Sequence, residues 1–187
     1  MTFEIILGIL LASIFSENIA LVEYLGAGAV LENERSSKKS LLLGLGTTLV
    51  MLISTMITWV LNTYVLQSVP YLQTIVFVFV VLMVVELIHI VAKKLLPCYC
   101  KYDFVRFAVN GAVLGLCIQS TGLSFMEAVI SSVAVGIGFM LTMTVYAKLR
   151  NIPVDEETIP ASFRGLPIAL LTAGIMVLAM LALQFKF

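Results

Sequence analysis

Apolar residues run along the chain in six long stretches, at about 3–31, 40–61, 71–92, 104–122, 127–148 and 166–185, separated by short polar or charged connections. Most of the stretches reach the roughly 20 residues that a helix needs to cross a bilayer. The pattern predicts an all-α integral membrane protein of six transmembrane helices, forming a single membrane domain over residues 1–187. The first stretch is too long to be one straight crossing. At roughly 1.5 Å per residue it would measure about 43 Å, against a hydrocarbon core of about 30 Å. Its middle carries the polar cluster Ser16-Glu17-Asn18, and Gly26 and Gly28 follow. A break after about residue 16 accommodates both facts, with Asn18 suited to cap the half-helix that follows. Unwound backbone is tolerated at membrane depth only inside protein or along a cavity, so the break should face the interior.

Comparing the chain with itself reveals a repeat. Val22-Glu-Tyr-Leu-Gly-Ala-Gly-Ala-Val-Leu31 aligns with Val105-Arg-Phe-Ala-Val-Asn-Gly-Ala-Val-Leu114, an offset of 83 residues, and both end in Gly-Ala-Val-Leu. Gly44-Leu-Gly-Thr-Thr-Leu-Val-Met51 then aligns with Gly136-Ile-Gly-Phe-Met-Leu-Thr-Met143, an offset of 92. The halves, about 1–94 and 104–187, hold three stretches each. An odd number of spans turns the second half upside down, giving two inverted three-helix repeats with broken helices one and four. Gly26, Gly44, Gly46, Gly136 and Gly138 are the expected helix-break and close-packing positions.

Composition strengthens the membrane assignment. Hydrophobic residues make up 61% of the chain and charged residues 12%, and the mean hydropathy is +1.11, far from a soluble domain. The N-terminus lacks the basic region of a removable signal peptide, so the first helix is expected to stay. Arg35, Lys38 and Lys39 lie between spans one and two; Lys93, Lys94, Lys101 and Arg106 between three and four; Lys148, Arg150 and Arg164 between five and six. Of the 11 basic residues only Lys186 falls elsewhere. Cations are retained on the cytoplasmic side, so both termini are expected outside and the three basic loops in the cytoplasm. The zero net charge gives no reason to expect a nucleic-acid partner.

The candidate chemistry is sparse. Cys98, Cys100 and Cys117, with the single His89, are spaced wrongly for a zinc site, and no disulfide is expected in a reducing compartment. No nucleophile–base triad, phosphate loop or dinucleotide fingerprint is present, so no catalytic residue is assigned. Glu17 would lie about 21 Å from the outer end of a regular helix. A charged carboxylate there costs roughly 2.5–3.5 kcal/mol on the lenient insertion scale, and such residues are paired or functional. Glu17, Asn18, Glu23, Asn110, Glu86 and His89 are the candidates for an ion or solute path, with Asn110 in the opposite broken element. Glu86 and His89, three apart on one helix face, could relay protons or simply hydrogen-bond each other.

Glu17-Asn18-Ile19-Ala20-Leu21 with Leu25-Gly26, the Ser37-Lys38-Lys39 turn with Gly44-Leu45-Gly46, Asn110-Gly111-Ala112-Val113-Leu114-Gly115, and above all Pro160-Ala-Ser-Phe163-Arg164-Gly165-Leu-Pro-Ile168-Ala-Leu-Leu-Thr172-Ala173-Gly174 carry a resemblance. Through almost its whole length the chain resembles the six-helix membrane subunits of the Rnf complex and of the sodium-translocating NADH:quinone oxidoreductase (Nqr), especially the A-type subunit of Rnf and the E-type subunit of Nqr. The resemblance implies a subunit paired with a homologous six-helix partner of opposite topology. Between them such pairs hold an iron–sulfur cluster that relays electrons to external flavin-bearing subunits, coupled to movement of sodium ions or protons. The family's ligands are cysteines in Leu-Gly-x-Cys on span one and Asn-Cys-Ala on span four. Here those positions are Gly28 and Gly111. Glycine offers no ligand, and Cys117, about 9 Å further along a regular helix, cannot replace either, so no cofactor and no metal are expected on this chain. The segment before Asn110 is also shorter than the family's, with Asp103 and Arg106 in place of apolar residues and a proline, and His89 stands where the family usually has glutamate.

Three functions follow from these readings. The chain is a membrane subunit of an Rnf- or Nqr-like ion-translocating electron-transport complex, contributing scaffold and ion path but no cluster. Alternatively it is a stand-alone or dimeric inverted-repeat transporter of an ion or small solute, or a structural partner only. Its surroundings would be the lipid bilayer, a homodimer mate or homologous subunit of opposite topology, and other Rnf/Nqr-like subunits.

Overall fold

The structure, a computed structural model, describes residues 8, 12–16, 18, 19, 22, 23, 25–32, 37–95, 108–150 and 160–184. All the regular secondary structure among them is helical. A π-helical turn at Ala12–Ser16 is followed by α1 (Ala27–Glu32), α2 (Ser37–Tyr64), α3 (Gln73–Leu95), α4 (Gly111–Gln119), α5 (Phe125–Arg150) and α6 (Leu166–Gln184). Ser40–Tyr64, Pro70–Lys94 and Phe125–Arg150 are long and apolar enough to cross a membrane, whereas Gly111–Gly122 and Leu166–Ala179 are shorter apolar runs. The first expected span is interrupted: among the described residues, helical structure stops at Ser16 and resumes at Ala27. In the fourth, a bend at Val109–Asn110 precedes α4.

Local chemistry sets the helix ends. Pro70 lies in the first turn of a 3-10 segment leading into α3, where its missing N–H is no loss. Ser124 and Glu127 form a capping box at the start of α5: the Ser124 N–H donates to Glu127 Oε2 at 3.1 Å, and the Glu127 N–H reaches Ser124 Oγ at 3.5 Å. Ahead of α6, Gly165 takes a φ of +82°, a left-handed turn that a side chain would strain.

The centre of the molecule is the antiparallel pair α2 and α5. Gly44 sits on Met140 so closely that a β-carbon there would lie 2.9 Å from the Met140 backbone, and a β-carbon on Gly136 would collide with Thr48. These contacts are one contact seen twice. In the repeat alignment Gly44 corresponds to Gly136 and Thr48 to Met140, so exchanging the halves converts the first contact into the second. That is the reciprocity of a two-fold interface, here within one chain. α3 lies on the outside of α2, with Ile75, Phe79, Met83 and Leu87 forming an exposed apolar row at four-residue spacing. Phe77, Val81, Val84 and Val85 on its other face are buried in the core.

One end of this bundle collects the cations. Lys93 and Lys94 close α3, Lys148 and Arg150 close α5, and Arg164 precedes α6. Arg150 Nη1 donates to the Leu31 carbonyl at 3.0 Å, capping the negative end of α1, and Tyr146 Oη donates to the Ala169 carbonyl at 3.0 Å. At the opposite end Trp59 Nε1 donates to the Leu123 carbonyl at 2.9 Å, and the Trp59 and Phe125 rings meet edge to face.

Gly44→Ala should destabilise the protein by about 1–3 kcal/mol, because the α2–α5 pair must spread to admit the methyl group. Gly28→Ala, with nothing within 4 Å of the new carbon, should be neutral in packing. Thermal unfolding in detergent micelles, followed by the monodisperse fraction, compares the two.

Candidate functional site

The two breaks meet. Gly26 ends the interruption in the first half with a φ of +80°, and a β-carbon there would lie 3.0 Å from Ala112 Cβ, 3.0 Å from Phe139 Cε2 and 3.4 Å from Asn110 Oδ1. Gly111 in turn approaches the Gly26 nitrogen, at 3.6 Å from a built β-carbon. Gly26 is therefore required twice over, by its left-handed backbone and by the second break pressed against it. Phe139 is close to the middle of α5, so the meeting point lies at about half the length of a membrane-crossing helix.

Different devices hold the two breaks. Asn18 is buried, and its Nδ2 donates to the Ile14 carbonyl at 3.0 Å, Thr142 Oγ1 at 3.1 Å and the Gly138 carbonyl at 3.3 Å. Two of these partners are carbonyls that can only accept, which fixes the amide nitrogen toward them. Its place in the sequence predicts a cap on the following half-helix; among the described residues α1 starts at Ala27, and the amide nitrogen of Asn18 anchors the interruption to α5. Gly138 makes room: a β-carbon on it would fall 2.9 Å from the Ser13 carbonyl oxygen and 3.2 Å from Asn18 Nδ2. At the second break Asn110 caps α4, its Oδ1 accepting from the Val113 N–H at 3.1 Å.

The repeat twins keep their environments. Ala29 and Ala112 are buried, as are Val30 and Val113, while Gly28 and Gly111 are both exposed. Neither glycine supplies a ligand. A thiolate-held cluster needs cysteine sulfur at such positions. Cys117, the described cysteine, is free and fully buried, lying beside Thr55 and Thr58 of α2. Gly111 and Gly115 share the face of α4 that meets Leu25, and Cys117, two residues beyond Gly115, is on the other side. Among the described residues, none brings a thiol to Gly28 or Gly111. Among the described residues no three His, Cys, Asp or Glu side chains converge on a metal position.

The remaining candidates are scattered. Glu17, Cys98 and Cys100 lie outside the described residues. Glu23 is exposed in the turn between the two parts of the first span. Glu86 is exposed on α3, which packs mainly on α2 and α4. His89 is half-buried and its Nδ1 has no hydrogen-bond partner, so the expected Glu86–His89 bond does not form through that nitrogen. Of the close-packing glycines, Gly44, Gly136 and Gly138 each touch an opposing element, and Gly46 is buried. Sequence reasoning missed Thr142 as the partner of Asn18, since a threonine one turn beyond Gly138 reads as ordinary helix.

Known proteins share this sequence plan. The family described as Rnf-Nqr subunit, membrane protein, matches residues 6–186. The A-type subunit of the ion-translocating oxidoreductase complex of Syntrophotalea carbinolica is 32% identical over 178 residues, spanning 91% of this chain and 92% of its own. The A-type subunit of the Na(+)-translocating ferredoxin:NAD(+) oxidoreductase complex of Acetobacterium woodii is 31% identical over 180 residues, 92% and 93% of the two chains. Its counterpart in the ion-translocating oxidoreductase complex of Sodalis glossinidius is 28% identical over 176 residues, 90% and 91%. Matched along nearly its entire length, the chain belongs to the Rnf-Nqr family of membrane subunits.

Proposed function

We propose that this chain is the membrane subunit of an ion-translocating oxidoreductase complex in which it supplies scaffold and part of the ion path but holds no iron–sulfur cluster. The full-length similarity to the A-type subunits of such complexes supports the first part. The observation that carries the second is the pair Gly28 and Gly111, two exposed positions without side chains beside two breaks that are otherwise intact. Electrons then cross the membrane through other subunits. The meeting point of the breaks is the best candidate for ion passage, because unwound backbone at half the depth of the bundle offers carbonyl oxygens and helix ends that a continuous helix keeps to itself.

In this reading Asn18 and Asn110 are positioning residues that hold the breaks open, and Glu17, next to Asn18 in the sequence, is the protonatable or ion-binding group. The end of the bundle bearing Lys93, Lys94, Lys148, Arg150 and Arg164 faces the cytoplasm, leaving both termini outside in an inner membrane. The partner is a homologous six-helix subunit of opposite topology or a second copy, within a larger Rnf/Nqr-like assembly. A second reading, a cluster-free transporter acting alone or as a dimer, draws on the same observation: the breaks persist where cluster ligands do not.

Purification of the tagged chain in mild detergent separates the two readings. Flavin-bearing subunits should co-purify, with no stoichiometric iron and no low-temperature EPR signal on the isolated chain; a clean dimer would select the transporter, and a stoichiometric cluster would refute the cluster-free reading. Glu17→Gln should abolish ion-coupled transport in vesicles while the protein still folds, and unchanged transport would remove Glu17 from the path. Asn18→Ala should cost about 1–3 kcal/mol, since Thr142 and the Ile14 and Gly138 carbonyls lose a buried donor. Thermal unfolding of the detergent-solubilised variant measures it.

A further inference from the structure

Buried hydroxyls in a membrane helix are usually satisfied by their own helix, donating to a carbonyl three or four residues earlier. Thr47, Thr58, Ser132 and Thr142 do so here, at 2.7–2.9 Å. Ser54 and Thr55 do not. Both are fully buried, they are adjacent in α2, and neither hydroxyl oxygen has a hydrogen-bond partner. The Cys117 thiol of α4 lies beside Thr55 and Thr58, but it is a weak hydrogen-bonding group and leaves Thr55 Oγ1 without a partner of proper geometry.

One of the two, Ser54, belongs to an ordered row, and Thr55 adjoins it. Ser40, Thr47 and Ser54 follow at seven-residue spacing, with Thr58 one turn further, so all four share one face of α2, and all four are fully buried. Ser120, also buried, closes the seam from the end of α4, its hydroxyl donating to the Cys117 carbonyl at 2.9 Å. α4 runs from the break at Asn110 toward the end of the bundle marked by Trp59 and Leu123. The seam therefore joins the meeting point of the breaks to that end. A role in close packing alone would be met as well by alanine or valine, which bring no polar atom to satisfy.

We propose that the α2–α4 seam at Ser54, Thr55, Thr58 and Cys117 is hydrated, with water bonded to the two unpartnered hydroxyls, and that it binds a monovalent cation through these neutral oxygens as the outer leg of the path. The proposal rests on the ion-path reading above for its direction, but not for its hydration. A buried water is held by two to four polar partners, and Thr55 Oγ1, Thr58 Oγ1 and the thiol lie together, with the unpartnered Ser54 Oγ on the adjoining residue.

Cys117 is a built-in reporter, because a thiol reacts with a methanethiosulfonate only where water reaches it. In membrane vesicles bearing the native protein, a small water-soluble methanethiosulfonate should modify Cys117, detected by peptide mass spectrometry. Ser54→Leu should slow the reaction about tenfold by filling the seam with hydrocarbon, as expected for a thiol cut off from water. Native Cys117 that stays unmodified in vesicles yet reacts after denaturation in detergent would overturn the proposal, whether or not the variant folds. Sodium chloride should slow the native reaction relative to choline chloride; equal rates would overturn the cation site. Glu17→Gln should leave the labelling unchanged: unchanged transport with Cys117 labelled fails the Glu17 reading alone, and lost transport with native Cys117 unlabelled fails the hydrated seam alone.

Discussion

Hydrocarbon offers a peptide group nothing to bond with, and this chain leaves regular helix twice at about half the length of its longest spans. Everything distinctive in the fold answers that constraint. At the first break the long-range donor is a side chain, Asn18, reaching the carbonyls of Ile14 and Gly138 and the hydroxyl of Thr142. At the second the solution is local, Asn110 bonding the Val113 N–H three residues on. Each break also shields the other, since Gly26 and Gly111 are within van der Waals reach. Neither interruption would be tolerable alone in lipid.

The platform for both is the α2–α5 pair. Its closeness depends on glycine at Gly44 and Gly136, and its symmetry on each glycine meeting the repeat counterpart of the residue that the other meets. Association of helices in lipid gains little from the hydrophobic effect, because lipid tails are as apolar as the side chains, so van der Waals contact at short range must supply it. That explains why the repeated motif is Gly-x-Gly. A larger residue would widen the pair and withdraw Gly138 from Asn18, and the first break would lose its anchor.

Much of this is legible in the sequence. The break after Ser16 follows from a span too long for the bilayer, and the facing glycines from two short self-matches in the same order. Family membership follows from the same residues. The anchoring role of Asn18 is not legible, because an asparagine before a half-helix is the usual sign of a local cap and two of its partners, Gly138 and Thr142, are 120 or more residues away. A three-residue spacing puts His89 on the same face as Glu86 but does not fix its ring, whose Nδ1 is buried without a partner. The unpartnered Ser54 and Thr55 are equally invisible, since hydroxyls in a helix normally bond backward and leave no trace in the sequence.

The cations gathered at one end carry a consequence for assembly. A helix bundle inserts with its lysines and arginines retained on one side, and ten of the 11 here fall in alternate loops. An inverted copy of this same chain would have to carry those ten charges across the bilayer. Any antiparallel mate must therefore have its cations in the other set of loops, and with them a different sequence.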